Sequence, residues 1–112
     1  MTVQRFEDLK VWKKSQDLAV SIYNKFSNSK DFGFIDQITR ASVSISNNIA
    51  EGFKRNTNPD FKRFLYFSLA SNSEVRFMLY LSERLNYLNK QDSSKLINET
   101  NEISKMLYAF IK

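Results

Sequence analysis

Two glycines and one proline in 112 residues leave a chain almost nothing with which to punctuate turns. Sheets and long ordered loops depend on these residues, so a chain this poor in them is expected to be helical, with short connections. The length suits one domain over 1–112, built on one core. Apolar residues recur at three-and-four spacing in four stretches, with breaks near 28, 55 and 89. These predict an all-α fold with helices over about 6–27, 32–52, 58–88 and 90–111. Short breaks place consecutive helices antiparallel, as an up-down-up-down four-helix bundle.

In the first helix Leu9, Trp12, Ala19, Ile22, Tyr23 and Phe26 mark the buried face. Ser27 to Asp31 is a polar break rich in N-cap residue types. Phe34, Ile38, Ala41, Ile45 and Ile49 form the seam of the second helix, and Gly52 stands where a left-handed cap is expected to end it. Asn58-Pro59-Asp60 reads as a third helix start, with Asn58 as cap, Pro59 in the first turn and Asp60 against the positive helix end. Asn89 and Asp92 resemble a capping pair before the fourth seam of Leu96, Ile103, Met106, Leu107 and Phe110.

The third helix carries more apolar surface than one core requires. One stripe is Phe61, Phe64, Leu65, Ser68, Asn72, Val75, Met78, Leu79 and Leu85. A second, displaced around the cylinder, is Tyr66, Phe67, Ala70, Phe77, Tyr80 and Leu81. A surface helix needs a single apolar face, so the second stripe is expected to meet another copy of the chain. Tyr66, Phe67, Phe77, Tyr80 and Leu81 are the candidate oligomer contacts.

Chemistry is limited by what is missing. There is no histidine and no cysteine, which removes imidazole bases, Ser-His and Cys-His nucleophile systems, thiolate and imidazole metal ligands, and disulfides. Helical nucleases built on an Arg-and-His motif are excluded on the same ground. Glu51 and Glu74 are the acidic residues in the apolar heart of helices two and three, and two carboxylates make a poor cation cage. No glycine-rich phosphate loop is present. We expect no enzyme, metal or cofactor. The start Met1-Thr2-Val3-Gln4-Arg5 lacks an apolar leader core, and the Phe64–Ala70 run is too short to span a bilayer, so a cytoplasmic protein without membrane contact is expected.

Three polar groupings remain. Asn48 with Glu51, and Ser71 with Glu74, each lie three apart on one helical face, joined by Ser42 beside the second seam. We read Ser42, Asn48, Glu51, Ser71 and Glu74 as a structural hydrogen-bond network, the alternative being a ligand or ion site between helices. Ser42, Ala70 and Ser71 are also small enough to let helices approach closely. The third grouping is basic: Lys54, Arg55, Lys62 and Arg63 flank the turn between helices two and three, with Arg40 one face away. With a net charge of +5, these are candidate phosphate contacts; on the residues alone, a solvated helix end is the alternative.

Several runs resemble one family. Phe6-Glu7-Asp8-Leu9-Lys10-Val11-Trp12, then Leu18, Ile22 and Tyr23, is similar to the opening of the 23S rRNA intervening-sequence proteins, also called four-helix bundle proteins. Phe32-Gly33-Phe34, Gln37-Ile38, Arg40-Ala41-Ser42, Ser44-Ile45 and Asn48-Ile49-Ala50-Glu51-Gly52 continue the likeness. So do Phe61, Arg63-Phe64-Leu65, Ala70-Ser71, Glu74 and Leu85-Asn86-Tyr87-Leu88, so the resemblance covers nearly the whole chain. Members often have Gly-Ser where this chain has Ala70-Ser71, a small departure expected to widen one helix contact slightly.

The resemblance implies an antiparallel bundle assembled as a ring-like homo-oligomer, a pentamer, in bacteria. Some members are encoded within insertions in large-subunit ribosomal RNA genes. A related group, the accessory variability determinants of diversity-generating retroelements, is a nucleic-acid-binding partner of a reverse transcriptase. Nucleic-acid binding is thus implied for this chain, with structured RNA or an RNA–protein complex as the expected target. The competing expectation is an oligomeric scaffold that presents a protein partner.

Overall fold

Three polar side chains set where three of the four helices begin. Asp31 Oδ1 accepts from the Phe34 N–H, Thr57 Oγ1 from Asp60 N–H, and Asn89 Oδ1 from Asp92 N–H at 2.7 Å. In the computed structural model, which describes residues 5–112, the helices are α1 (Lys10–Lys25), α2 (Phe32–Phe53), α3 (Asn58–Arg84) and α4 (Lys90–Ile111). No strand occurs among the described residues. Met1–Gln4, weighed above as a possible leader, lie outside them.

Cross-helix pairs give the chain direction. Ser68 bonds the Ile45 carbonyl while Ser71 bonds Ser44, so α3 climbs as α2 descends. Asn72 reaches Thr100 and Ser104, Arg76 reaches Asn101 and Ser93 reaches Glu83, which makes α3 and α4 antiparallel. Ion pairs Lys14–Glu102 and Lys25–Asp92 run the same way between α1 and α4. The molecule is 43 Å long, close to the roughly 40 Å of the 27-residue α3. The core draws on all four helices, with Leu18, Ile22, Ile38, Ile45, Ile49, Leu65, Leu79, Ile103 and Leu107 fully buried. Truncating any one of them to alanine costs about 2–5 kcal/mol.

The helix limits differ from expectation at several points. The first expected helix divides into a 3-10 turn, Phe6–Asp8, and α1, with Leu9 extended between them. Phe6 packs edge-on against Trp12 at 5.3 Å. Residues six apart do not share a helix face, so the chain must bend to bring these rings together. The buried face of α1 is Val11, Ser15, Leu18 and Ile22; Tyr23 faces solvent. Thr57, not Asn58, caps α3.

Gly52 is no left-handed cap: it lies inside α2, which runs on to Phe53. A Cβ there would sit 2.9 Å from Phe64 Cβ and 3.2 Å from the Phe61 carbonyl, so its role is to let α3 cross closely. The left-handed residue is Asn86, φ 62°, which ends α3 four residues earlier than expected. Tyr87 N–H bonds Ser82 O and Asn86 N–H bonds Glu83 O, closing a Schellman turn. The chain then folds Leu88 into the core and leaves Leu85, expected in the seam, exposed.

Candidate nucleic-acid interface

The α2–α3 turn is short because α2 ends at Phe53, just past the Gly52 crossing, and Thr57 caps α3 four residues on. This brings the last turn of α2 and the first turns of α3 side by side, and with them Lys54, Arg55, Lys62 and Arg63. Arg55 pairs with Glu51 at 3.0 Å and Arg63 with Asp60 at 3.7 Å. Among the described residues, Lys54 and Lys62 have no carboxylate within ion-pair distance. Exposed pairs of this kind add little stability and leave guanidinium N–H groups for other acceptors.

Arg40 does not join the cluster. It lies about 20 Å along α2 from Phe53, where the helix ends, pairs with Asp36, and shares a shallow cleft with Gln37, Ser44, Ser71 and Glu74. Other cations do join it. Phe61 packs against Phe110, and Val11 shares a groove with Phe110, so the start of α1 and the end of α4 flank the same end of the bundle. Exposed Lys10 and Lys112 therefore belong to the same end of the bundle as the turn cluster. A residue-by-residue reading misses them because they are half a chain away; the antiparallel topology was the signal that could have found them.

An aromatic component is interleaved with the charge. The Arg55 guanidinium lies 4.4 Å from the Phe64 ring centroid, and Arg63 lies 5.1 Å from Phe64 and 5.6 Å from Phe67. The two rings stand nearly perpendicular, 5.4 Å apart. Cation and ring attract through the ring quadrupole, so each fixes the other's position.

The five residues read as a polar network are placed in several local arrangements. Asn48 Nδ2 donates to the Ser44 carbonyl and hydroxyl, and Ser71 Oγ bonds Ser44 Oγ across the helices at 2.9 Å. Ser42 bonds back to its own helix at the Thr39 carbonyl. Glu51 turns outward to Arg55, and Glu74 lies in the Arg40 cleft. Ala70 is exposed, so it sets no helix contact, and the departure at Ala70-Ser71 widens nothing. The buried amide at the centre is instead Asn72, which donates to the Thr100 carbonyl and Ser104 Oγ at 2.8 Å each.

The second stripe of α3 stays on the surface. At about 100° per residue, Tyr66, Phe77, Tyr80 and Leu81 cluster opposite the buried Leu65, Asn72, Val75 and Leu79. Phe77 is 61% exposed. Phe67 is displaced from that line toward α2, which puts it with Arg63 and Phe64 rather than with the outward row.

A family model described as 23S rRNA-intervening sequence protein matches residues 7–109. Among solved structures, the chain is similar to a protein of unknown function from the S23 ribosomal protein family of Bacteroides thetaiotaomicron. Identity is 32%, the match covers 91% of this chain and 98% of that one, and the TM-score is 0.86. No curated protein matches the sequence.

Proposed function

The chain belongs to the 23S rRNA-intervening sequence protein family, and on that premise we propose that it is a non-catalytic homo-oligomer that binds nucleic acid through its basic end. The observation that carries the proposal is the gathering of Lys54, Arg55, Lys62 and Arg63 at one end of the bundle, with Lys10 and Lys112 at that same end. Flexible exposed cations suit phosphate contacts, which supply most sequence-independent affinity. The target is structured RNA or an RNA–protein complex in the cytoplasm; the family's description records where some members are encoded, so RNA and DNA are both probes.

Self-assembly completes the reading. A pentameric ring would repeat each patch, and repetition raises effective concentration without any new contact. The outward row of Tyr66, Phe77, Tyr80 and Leu81 supports assembly, and Arg40, apart from the turn, is left out of the binding set. The same outward row also favours a second reading, in which the oligomer is a scaffold for a protein partner and binds no nucleic acid.

The test is a fluorescence titration against structured RNA and duplex DNA at two salt concentrations. Binding should weaken steeply with salt, and reversing the charge of Lys54 or Lys62 should weaken it uniformly across sequences. Salt-independent binding, or none at modest ionic strength, moves the assignment to the scaffold.

A further inference from the structure

Phe67 is an apolar ring that serves no core. It is 43% exposed, its edge-to-face neighbour is Phe64, and the Arg63 guanidinium lies 5.6 Å from its centroid. Phe64 differs: its Cβ packs against Gly52 and holds the helix crossing. Beyond that crossing, Arg55 from the turn after α2 and Arg63 from α3 sit against the rings, and Arg55 also pairs with Glu51 at 3.0 Å. The result is a short ladder of alternating guanidinium and phenyl groups beside the α2–α3 turn, with its two rings nearly perpendicular. Lys54, next to Arg55 in the turn, has no acidic partner among the described residues.

Point charges alone would suffice to hold a phosphate backbone. Planar groups add something specific, because an unpaired base offers a flat face to stack on phenyl or guanidinium, with its phosphates left to nearby cations. In a continuous duplex those faces are covered by neighbouring bases, and only edges and phosphates remain to be touched. An acidic protein segment would use the cations but leave the Phe67 ring in water.

We propose that the Arg55–Phe64–Arg63–Phe67 ladder is a stacking site for an unpaired base, so that this end of the bundle takes single-stranded or looped nucleic acid in preference to continuous duplex. The inference rests on the nucleic-acid reading above and narrows its substrate class.

The experiment measures anisotropy of a labelled single-stranded oligouridylate of about ten nucleotides and of a duplex RNA of equal length, at two salt concentrations. The full chain is compared with Phe67→Leu, which keeps an apolar side chain but loses the ring, and with Arg63→Lys, which keeps the charge but loses the plane. Wild type should bind the single strand more tightly. Phe67→Leu should weaken that binding about tenfold and leave duplex binding and the salt slope unchanged, with Arg63→Lys in the same direction. Equal affinity for both probes, or single-strand binding indifferent to Phe67→Leu, overturns the stacking site while salt-dependent binding of both keeps the polyanion reading. Failure to bind either probe at low salt overturns both. A changed oligomer mass for Phe67→Leu assigns the ring to self-assembly and also overturns the stacking site.

Discussion

At the scale of single residues, the two glycines have opposite roles. Gly52 is where α3 comes closest to α2, and a methyl group there meets Phe64 Cβ and the Phe61 carbonyl. Alanine gains about 1 kcal/mol of helix propensity, but overpacking against these neighbours costs about 1–3 kcal/mol. Because one obstacle is backbone and the other a Cβ, neither can swing aside, and Gly52→Ala should lower the denaturation midpoint. A Cβ on Gly33, in the first turn of α2, would make only an ordinary contact with Asp31 Oδ1 at 3.9 Å, and its backbone is not left-handed, so Gly33→Ala should raise the midpoint. Equal effects from the two would contradict the close-crossing account. The Asn-Ile-Ala-Glu-Gly run marked this region in the sequence, yet its glycine suggested a cap, since a contact with residues nine and twelve positions on leaves no local trace.

At the scale of elements, Asp31 and Tyr87 clasp the start of α2 to the turn between α3 and α4. The Tyr87 hydroxyl donates to Asp31 Oδ2 at 2.6 Å while Oδ1 caps α2, and the Tyr87 ring lies edge-on to buried Phe34. The Tyr87 bond first, and the Phe34 N–H second, hold the Asp31 carboxyl below its ordinary range. The same bond pushes the Tyr87 phenol up. Asp31 thus contributes stability above its unfolded value, lost as pH falls through its depressed one. Tyr87 contributes below its unfolded value, lost as pH rises through its raised one. Tyr87→Phe should therefore be less stable than wild type between about pH 5 and 9, with the gap narrowing below about pH 4 and above about pH 10 in urea melts. A gap independent of pH would remove the clasp. The seams were legible to different degrees for a related reason. Phe34 to Ile49 in α2 is apolar at every turn and was read correctly. In α1 the seam passes through Ser15, whose hydroxyl is hidden by a 2.7 Å bond to the Val11 carbonyl, so a polar letter stands at a buried position.

At the scale of the whole molecule, the outward row on α3 is the surface on which the proposed assembly can be tested. Each large apolar side chain covered on assembly contributes about 1.5–3 kcal/mol, so a charge placed there should dissociate an oligomer without unfolding the protomer. Phe77→Glu is expected to reduce the mass seen by light scattering to that of one chain, with helical circular dichroism retained; unchanged mass moves the interface elsewhere. The existence of this row was readable from the spacing of α3 alone, and the basic cluster from its nearness in sequence. The ladder was not, because Arg55 in the turn and Phe64 on α3 are brought together by the close crossing at Gly52, and Arg40 was grouped too generously across about 20 Å of helix. An even number of antiparallel helices also returns the end of α4 to the beginning of α1, beside the α2–α3 turn. A fluorophore or tether placed at the start of α1 or the end of α4 therefore lies at the pole that holds the basic cluster. Labels and tethers belong at the opposite pole, in the Ser27–Ser29 bend, where they leave the basic end open to solvent.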